Sequence, residues 1–251
     1  MIDLIPADLT VLDRAGLCWF LAVWLGYGRL IHGLRSRRSI TARLRGVRRT
    51  WMLRMLGRDN RITDASLIGH TLHSATFFAS TTMVALAALL GVLGGFGHSF
   101  AALGELAFTA RTSRELAEAK VVLLVLVFAH TFLKLTWAIR QLNYCIALIG
   151  AAPLKPGPAT RDTVAEHVSA VLSLAVGSFN AGIRGYYFAF AVLAWLLGSA
   201  AFLLVTAGIL AMLLWRQFGS ETADAMRLSH AALTDDEAAP EDRSGAAVAV
   251  H

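Results

Sequence analysis

The chain has 251 residues, of which 56% are hydrophobic and only 16% charged, with a mean hydropathy of +0.59. Soluble domains of this size keep roughly a quarter of their residues charged to solvate their surface, so an ordinary soluble fold is excluded and lipid must cover part of the exterior. The two cysteines, Cys18 and Cys145, both lie in apolar stretches, which excludes a disulfide-stapled scaffold and zinc sites built from three or four thiolates.

A hydrocarbon core about 30 Å thick needs about 20 apolar residues in a helix. Four runs reach that length, at residues 9–30, 67–96, 121–149 and 186–215. They are roughly three times too long for barrel strands, and in lipid each must pair its own backbone groups. The expected fold is an all-α membrane protein with four transmembrane helices.

In chain order, residues 1–8 are acidic and carry neither a basic n-region nor a cleavage site, so the first run reads as a retained helix rather than a signal peptide. Residues 31–66 follow with ten arginines against Asp59 and Asp64. By the positive-inside bias this loop is cytoplasmic and the N-terminus lies outside, the location being a bacterial inner membrane. The second run is uncharged and ends in Gly91-Val92-Leu93-Gly94-Gly95-Phe96-Gly97. Residues 97–120 balance their charges, as an outer loop does. Lys134 and Arg140 interrupt the third run, and three of the five prolines then fall in residues 151–158, which cannot be helical throughout.

Residues 161–183 place Val164, Val168, Val171, Leu172, Ala175 and Phe179 on one stripe, opposite Asp162, Glu166, Ser169, Ser173 and Asn180. This predicts an amphipathic helix on the cytoplasmic side; were it to cross instead, the tail would return to the cytoplasm. Arg184 and Arg216 bracket the fourth run. The acidic tail, residues 219–251, predicts no regular structure, leaving residues 1–218 as a single membrane domain. No internal repeat marks a transporter's inverted symmetry.

The arginine loop is the strongest local signal. Ile40, Leu44, Val47, Trp51 and Met55 share one helical face, with Arg38, Arg45 and Arg49 opposite and Arg43, Arg48 and Arg54 flanking. Such a helix lies in the headgroup plane with its flanking arginines at the phosphates, each contributing on the order of 1 kcal/mol near an anionic leaflet. Anionic headgroups or a protein partner are its expected ligands; nucleic acid is not, because no recognition fold surrounds the charge.

A second group is ionisable and intramembrane. His70 and His73 at the start of the second run, Lys134, Arg140 and Asn143 in the third, and Asn180 and Arg184 beyond it sit at similar depth in an antiparallel bundle. They converge either as a cytoplasm-facing polar or anion-binding cavity, as a small transporter or channel for an anionic solute requires, or simply as hydrogen bonds between helices. No cofactor or metal is expected: His130 and the pair His70 and His73 lie at unmatched depths for a haem, spans two to four hold no Asp or Glu, and no H-E-x-x-H or G-x-S-x-G motif occurs. The sequence gives no catalytic residues and reads as a non-enzymatic lipid- or partner-binding module. Small residues at four-residue spacing, Ala75 with Ala79, Gly177 with Ala181, and Gly198 beside Ala194 and Phe202, mark close helix packing within one chain or in a homo-oligomer.

Three stretches together resemble a known family. Arg48-Arg49-Thr50-Trp51-Met52 followed by Phe78-Ala79-Ser80-Thr81, then Ala138-Ile139-Arg140-Gln141-Leu142-Asn143-Tyr144, then Phe179-Asn180-Ala181-Gly182-Ile183-Arg184-Gly185-Tyr186-Tyr187-Phe188 with Trp195 are similar to the domain-of-unknown-function 599 (DUF599) family of bacterial and plant membrane proteins. The resemblance covers about residues 10–218. It implies a four-span architecture and brings no activity, substrate or catalytic residue.

Overall fold

The computed structural model describes residues 9–33, 40–95 and 113–238, and these are helical apart from short connections. The helices are α1 (Val11–Gly33), α2 (Ile40–Leu56), α3 (Ile62–Gly94), α4 (Arg114–Ala151), α5 (Pro158–Leu197), α6 (Ser199–Phe218) and α7 (Glu221–Ala238). Local chemistry sets several starts. Thr10 and Asp13 form a capping box at α1, the Asp13 amide donating to the Thr10 hydroxyl while the Asp13 carboxylate accepts from the Thr10 amide. Ser113 caps α4 by accepting from the Leu116 amide. Pro158 opens α5 at a position where no amide hydrogen is needed, so the proline-rich linker is a turn, as expected.

The frame of the molecule is the antiparallel pair α4 and α5. With 38 and 40 residues they are about 57 and 60 Å long, nearly twice the thickness of a hydrocarbon core. Their register is fixed by Lys120 against Trp195, Thr131 against Gly185, Leu135 against Gly182 and Gln141 against Ser178. On Gly185 a Cβ would overlap the Thr131 hydroxyl, and on Gly182 it would come within 2.6 Å of Leu135. Only glycine permits this approach of α5 to α4. The sequence reading chose Gly177 instead, whose added Cβ would meet nothing within 4 Å; Ala75 and Ala79, by contrast, are buried between α3 and its neighbours.

Residues 186–215 are not one helix: α5 ends at Leu197 and α6 begins at Ser199, with Gly198 between them at φ 142° and ψ 162°. That conformation is open essentially to glycine alone, and it turns the chain back so that α6 runs along α5. Nor do residues 161–183 form a separate helix; they are the first half of α5. The acidic tail also departs from expectation, because Glu221–Ala238 is helical and packs against α2, while residues 239–251 lie outside the described residues.

α1 runs parallel to α6, Asp13 meeting Ser199 at one end and the Tyr27 hydroxyl facing the Leu213 carbonyl at the other. Two hydrophobic cores result. One is built by Phe20, Val127, Phe188, Val192, Trp195 and Phe202 where α1, α4, α5 and α6 meet. The second is built by Met52, Met55, Leu56, Ile68, Leu142, Cys145 and Leu172 where α2 crosses the first half of α5 and the ends of α3 and α4.

The exterior of the first region is apolar: Leu204 is 73% exposed, Val84 70%, Leu133 65% and Phe190 63%. A solvated monomer does not carry so large a patch. Among the described residues three stretches, Ile62–Gly94, Arg114–Ala151 and Ser199–Leu233, are long and apolar enough to cross a membrane.

Candidate functional site

Three arginines of α2 bond to neighbouring helices, part-buried at Arg43 and Arg48 and solvent-exposed at Arg49. Arg43 donates to the Ala223 carbonyl at 2.6 Å, Arg48 to Ser173 at 3.2 Å, and Arg49 pairs with Asp162 and Glu166 at 3.4 and 3.1 Å. Burial first, and the neighbouring Arg45 charge second, push the Arg48 guanidinium below its usual value, yet arginine starts so high that it stays cationic. Arg45 and Arg54 are exposed, and Arg38 lies outside the described residues. The buried face of α2 is also rotated from the expected stripe. Met52, Leu53, Met55 and Leu56 are buried, whereas Ile40, Leu44, Val47 and Trp51 are only half-buried. The reason is that α5, rather than a flat membrane surface, supplies the facing groove.

Three further residues of this layer carry roles that arginine content alone did not reveal. Arg61 donates to the Ile149, Ala152 and Pro153 carbonyls, closing the C-terminal end of α4, and Arg161 donates to the Leu53 carbonyl in the last turn of α2. Helix ends leave carbonyls without partners and favour cations. Asp64 is fully buried and accepts from the Trp51 indole at 2.7 Å and Arg58 at 2.6 Å, so Trp51 is an anchor of the layer.

The expected polar cluster divides into separate places. His70, His73, Arg140, Asn143 and Asn180 are exposed, and Arg140 donates to Tyr144 on its own helix. Lys134 and Arg184 are half-buried and do share a level, on the side of the α4 and α5 pair that faces α1. His130, one turn before Lys134, meets the Trp24 ring edge-on at 5.3 Å. Arg184 lies over the Tyr27 ring at 5.1 Å. The groove between α3 and α4, of about 330 Å³ and lined by Thr76, Ala79, Ser80, Met83, Val84 and Phe132, includes none of the seven. Among the described residues no group of His, Cys, Asp and Glu is spaced to hold a metal ion.

At the opposite end of the bundle lies a network that the sequence reading missed. Asp13, 3% exposed, accepts from the Trp195 indole at 2.6 Å, from the Thr10 hydroxyl at 2.7 Å and from the Ser199 hydroxyl. Lys120, 4% exposed, donates to the Trp195 carbonyl at 3.0 Å and lies 5.4 Å from the centre of its ring. Together these tie α1 and α4 to the Gly198 turn.

Described residues that are helical throughout, with an apolar exterior over long apolar helices and a second, arginine-tied helical layer beyond it, define the class as a membrane protein. The chain belongs to the family described as "Protein of unknown function, DUF599", whose family model matches residues 15–222. No curated protein and no solved structure matches the chain.

Proposed function

We propose that the chain is a multi-pass protein of the bacterial inner membrane, crossing five times with its N-terminus outside and α7 inside, and that its cytoplasmic helical layer is a non-enzymatic platform that docks a partner protein. The five crossings are α1, α3, α4, α5 and α6. The length of α4 and α5 supports this count, since each spans one bilayer and still supplies about a dozen or more residues to the second core. Arginine density around α2 supports the cytoplasmic assignment.

The observation that carries the platform reading is the inward use of the arginines. A helix draped on headgroups would turn the flanking Arg43 and Arg48 to phosphates, whereas here Arg43 bonds α7 and Arg48 bonds α5. A rigid surface remains, with Arg45, Arg54, Arg58 and His167 exposed. The test has two parts. Cysteines at positions 45 and 167 should react with an impermeant maleimide only in inverted vesicles, and position 199 only in right-side-out vesicles; the reverse pattern sinks the topology. A photo-crosslinking residue at 45 or 167 should give a discrete protein adduct in cells. Adducts with phospholipid alone would return the surface to headgroup binding, and a complete lack of adducts would end the binding reading.

A further inference from the structure

We infer that the α1-facing side of the α4 and α5 pair binds a phosphate group, with Lys134 and Arg184 supplying the charge beside His130, Trp24 and Tyr27. It is separate from the docking surface proposed above and does not rest on it.

The juxtaposition follows from register. Thr131 against Gly185 and Leu135 against Gly182 bring Lys134 and Arg184 to one level. The contacts of His130 with Trp24 and of Arg184 with Tyr27 turn both cationic positions to α1, where Trp24 and Tyr27 are three residues apart and so share a face. Among the described residues of α1, α4, α5 and α6 no carboxylate lies at the level of Lys134 and Arg184. Residues 121–161 and 167–220 contain no Asp or Glu. Along the helix axes Glu118 is about 24 Å from Lys134, and Glu166 about 27 Å from Arg184. The Tyr27 ring is the partner of the Arg184 guanidinium, and the Tyr27 hydroxyl donates a long hydrogen bond of 3.5 Å to the Leu213 carbonyl.

Two half-buried cations inside a bundle that contains no acid at their depth are expensive to hold. An anion removes the cost, and a planar guanidinium beside an ammonium favours the several oxygens of a phosphate group. Half-burial leaves the Lys134 and Arg184 side chains reachable. The phosphate can belong to an anionic lipid headgroup or be free in the cytoplasm.

The experiment uses the full chain in neutral detergent and three probes: phosphatidylglycerol, inorganic phosphate at constant ionic strength, and dioleoylglycerol, which lacks the phosphate. Wild type should bind at least one phosphate-bearing probe tenfold or more tightly than dioleoylglycerol. Lys134→Gln with Arg184→Gln should abolish that preference, while Arg114→Gln at the far end of α4 leaves it intact. Binding of phosphatidylglycerol alone identifies a headgroup, and binding of inorganic phosphate identifies the free anion. A second measurement needs no variant: bound phosphate should slow acetylation of Lys134 at least fivefold and leave that of Lys155, in the exposed linker, unchanged. Undiminished acetylation of Lys134 under both phosphate-bearing probes, or a double variant that binds as wild type does, overturns the proposal.

Discussion

The Asp13 carboxylate accepts a 2.6 Å hydrogen bond from the Trp195 indole, joining the first turn of α1 to the last turn of α5 across 182 residues of chain. Both groups are almost completely buried, and the same carboxylate holds Ser199 on the far side of the Gly198 turn.

Asp13→Ala leaves an indole N–H, two hydroxyls and the buried Lys120 ammonium without their anionic neighbour. A buried hydrogen bond to a charged group contributes about 1.5–3 kcal/mol, so the variant should lose stability on that scale, read as a lower thermal midpoint in detergent. Asp13→Asn, whose carbonyl oxygen still accepts, should lose less. Equal losses for the two would mean that the charge, and not the hydrogen bonds, holds the turn.

Gly198→Ala tests the turn itself. An added Cβ there meets nothing within 4 Å, so any effect comes from the backbone at φ 142° alone, at a cost on the order of 1–3 kcal/mol. A variant as stable as wild type would show that α5 and α6 are not joined in this conformation.

Gly185→Ala tests the helix crossing. Its methyl would overlap the Thr131 hydroxyl, and overpacking of this kind costs about 1–3 kcal/mol. Thr131→Ala removes the obstructing atoms, so the double variant should be more stable than the sum of the two single losses predicts. Simple additivity of the two losses would place the crossing elsewhere.

Arg61→Ala should act on one region only. It exposes the Ile149, Ala152 and Pro153 carbonyls and should speed amide hydrogen exchange in residues 140–157 and in α2, leaving the Phe20, Phe188 and Phe202 core protected. Uniform deprotection would mean that the two cores unfold as one unit.

Arg49→Ala should change little. Its ion pairs with Asp162 and Glu166 are solvent-exposed, and pairs of that kind contribute about 0–1 kcal/mol. A shift in thermal midpoint larger than that of Arg61→Ala would reverse the ranking of the two arginines.

The apolar runs carried α1, α3 and α4 into view because continuous hydrophobicity of span length has few other uses. The division at Gly198 stayed hidden since it lies in an uncharged run and no proline marks it, and length was no guide because the equally long run at residues 67–96 lies almost wholly in one helix. The stripe through Val168, Leu172 and Ala175 correctly named a buried face. That α5 continues past it to Leu197 could not be read, because a helix leaving water for lipid changes its pattern without ending. Arginine content located the α2 layer but could not distinguish a guanidinium that closes a helix end, as at Arg61, from one that meets a phosphate. Asp13 and Lys120 are 107 residues apart in sequence, and nothing local links them.

Because α4 and α5 pass unbroken through both cores, they are stiff levers that couple one core to the other. A tilt imposed where Asp13 and Lys120 grip the hairpin must swing α2 and everything seated on it.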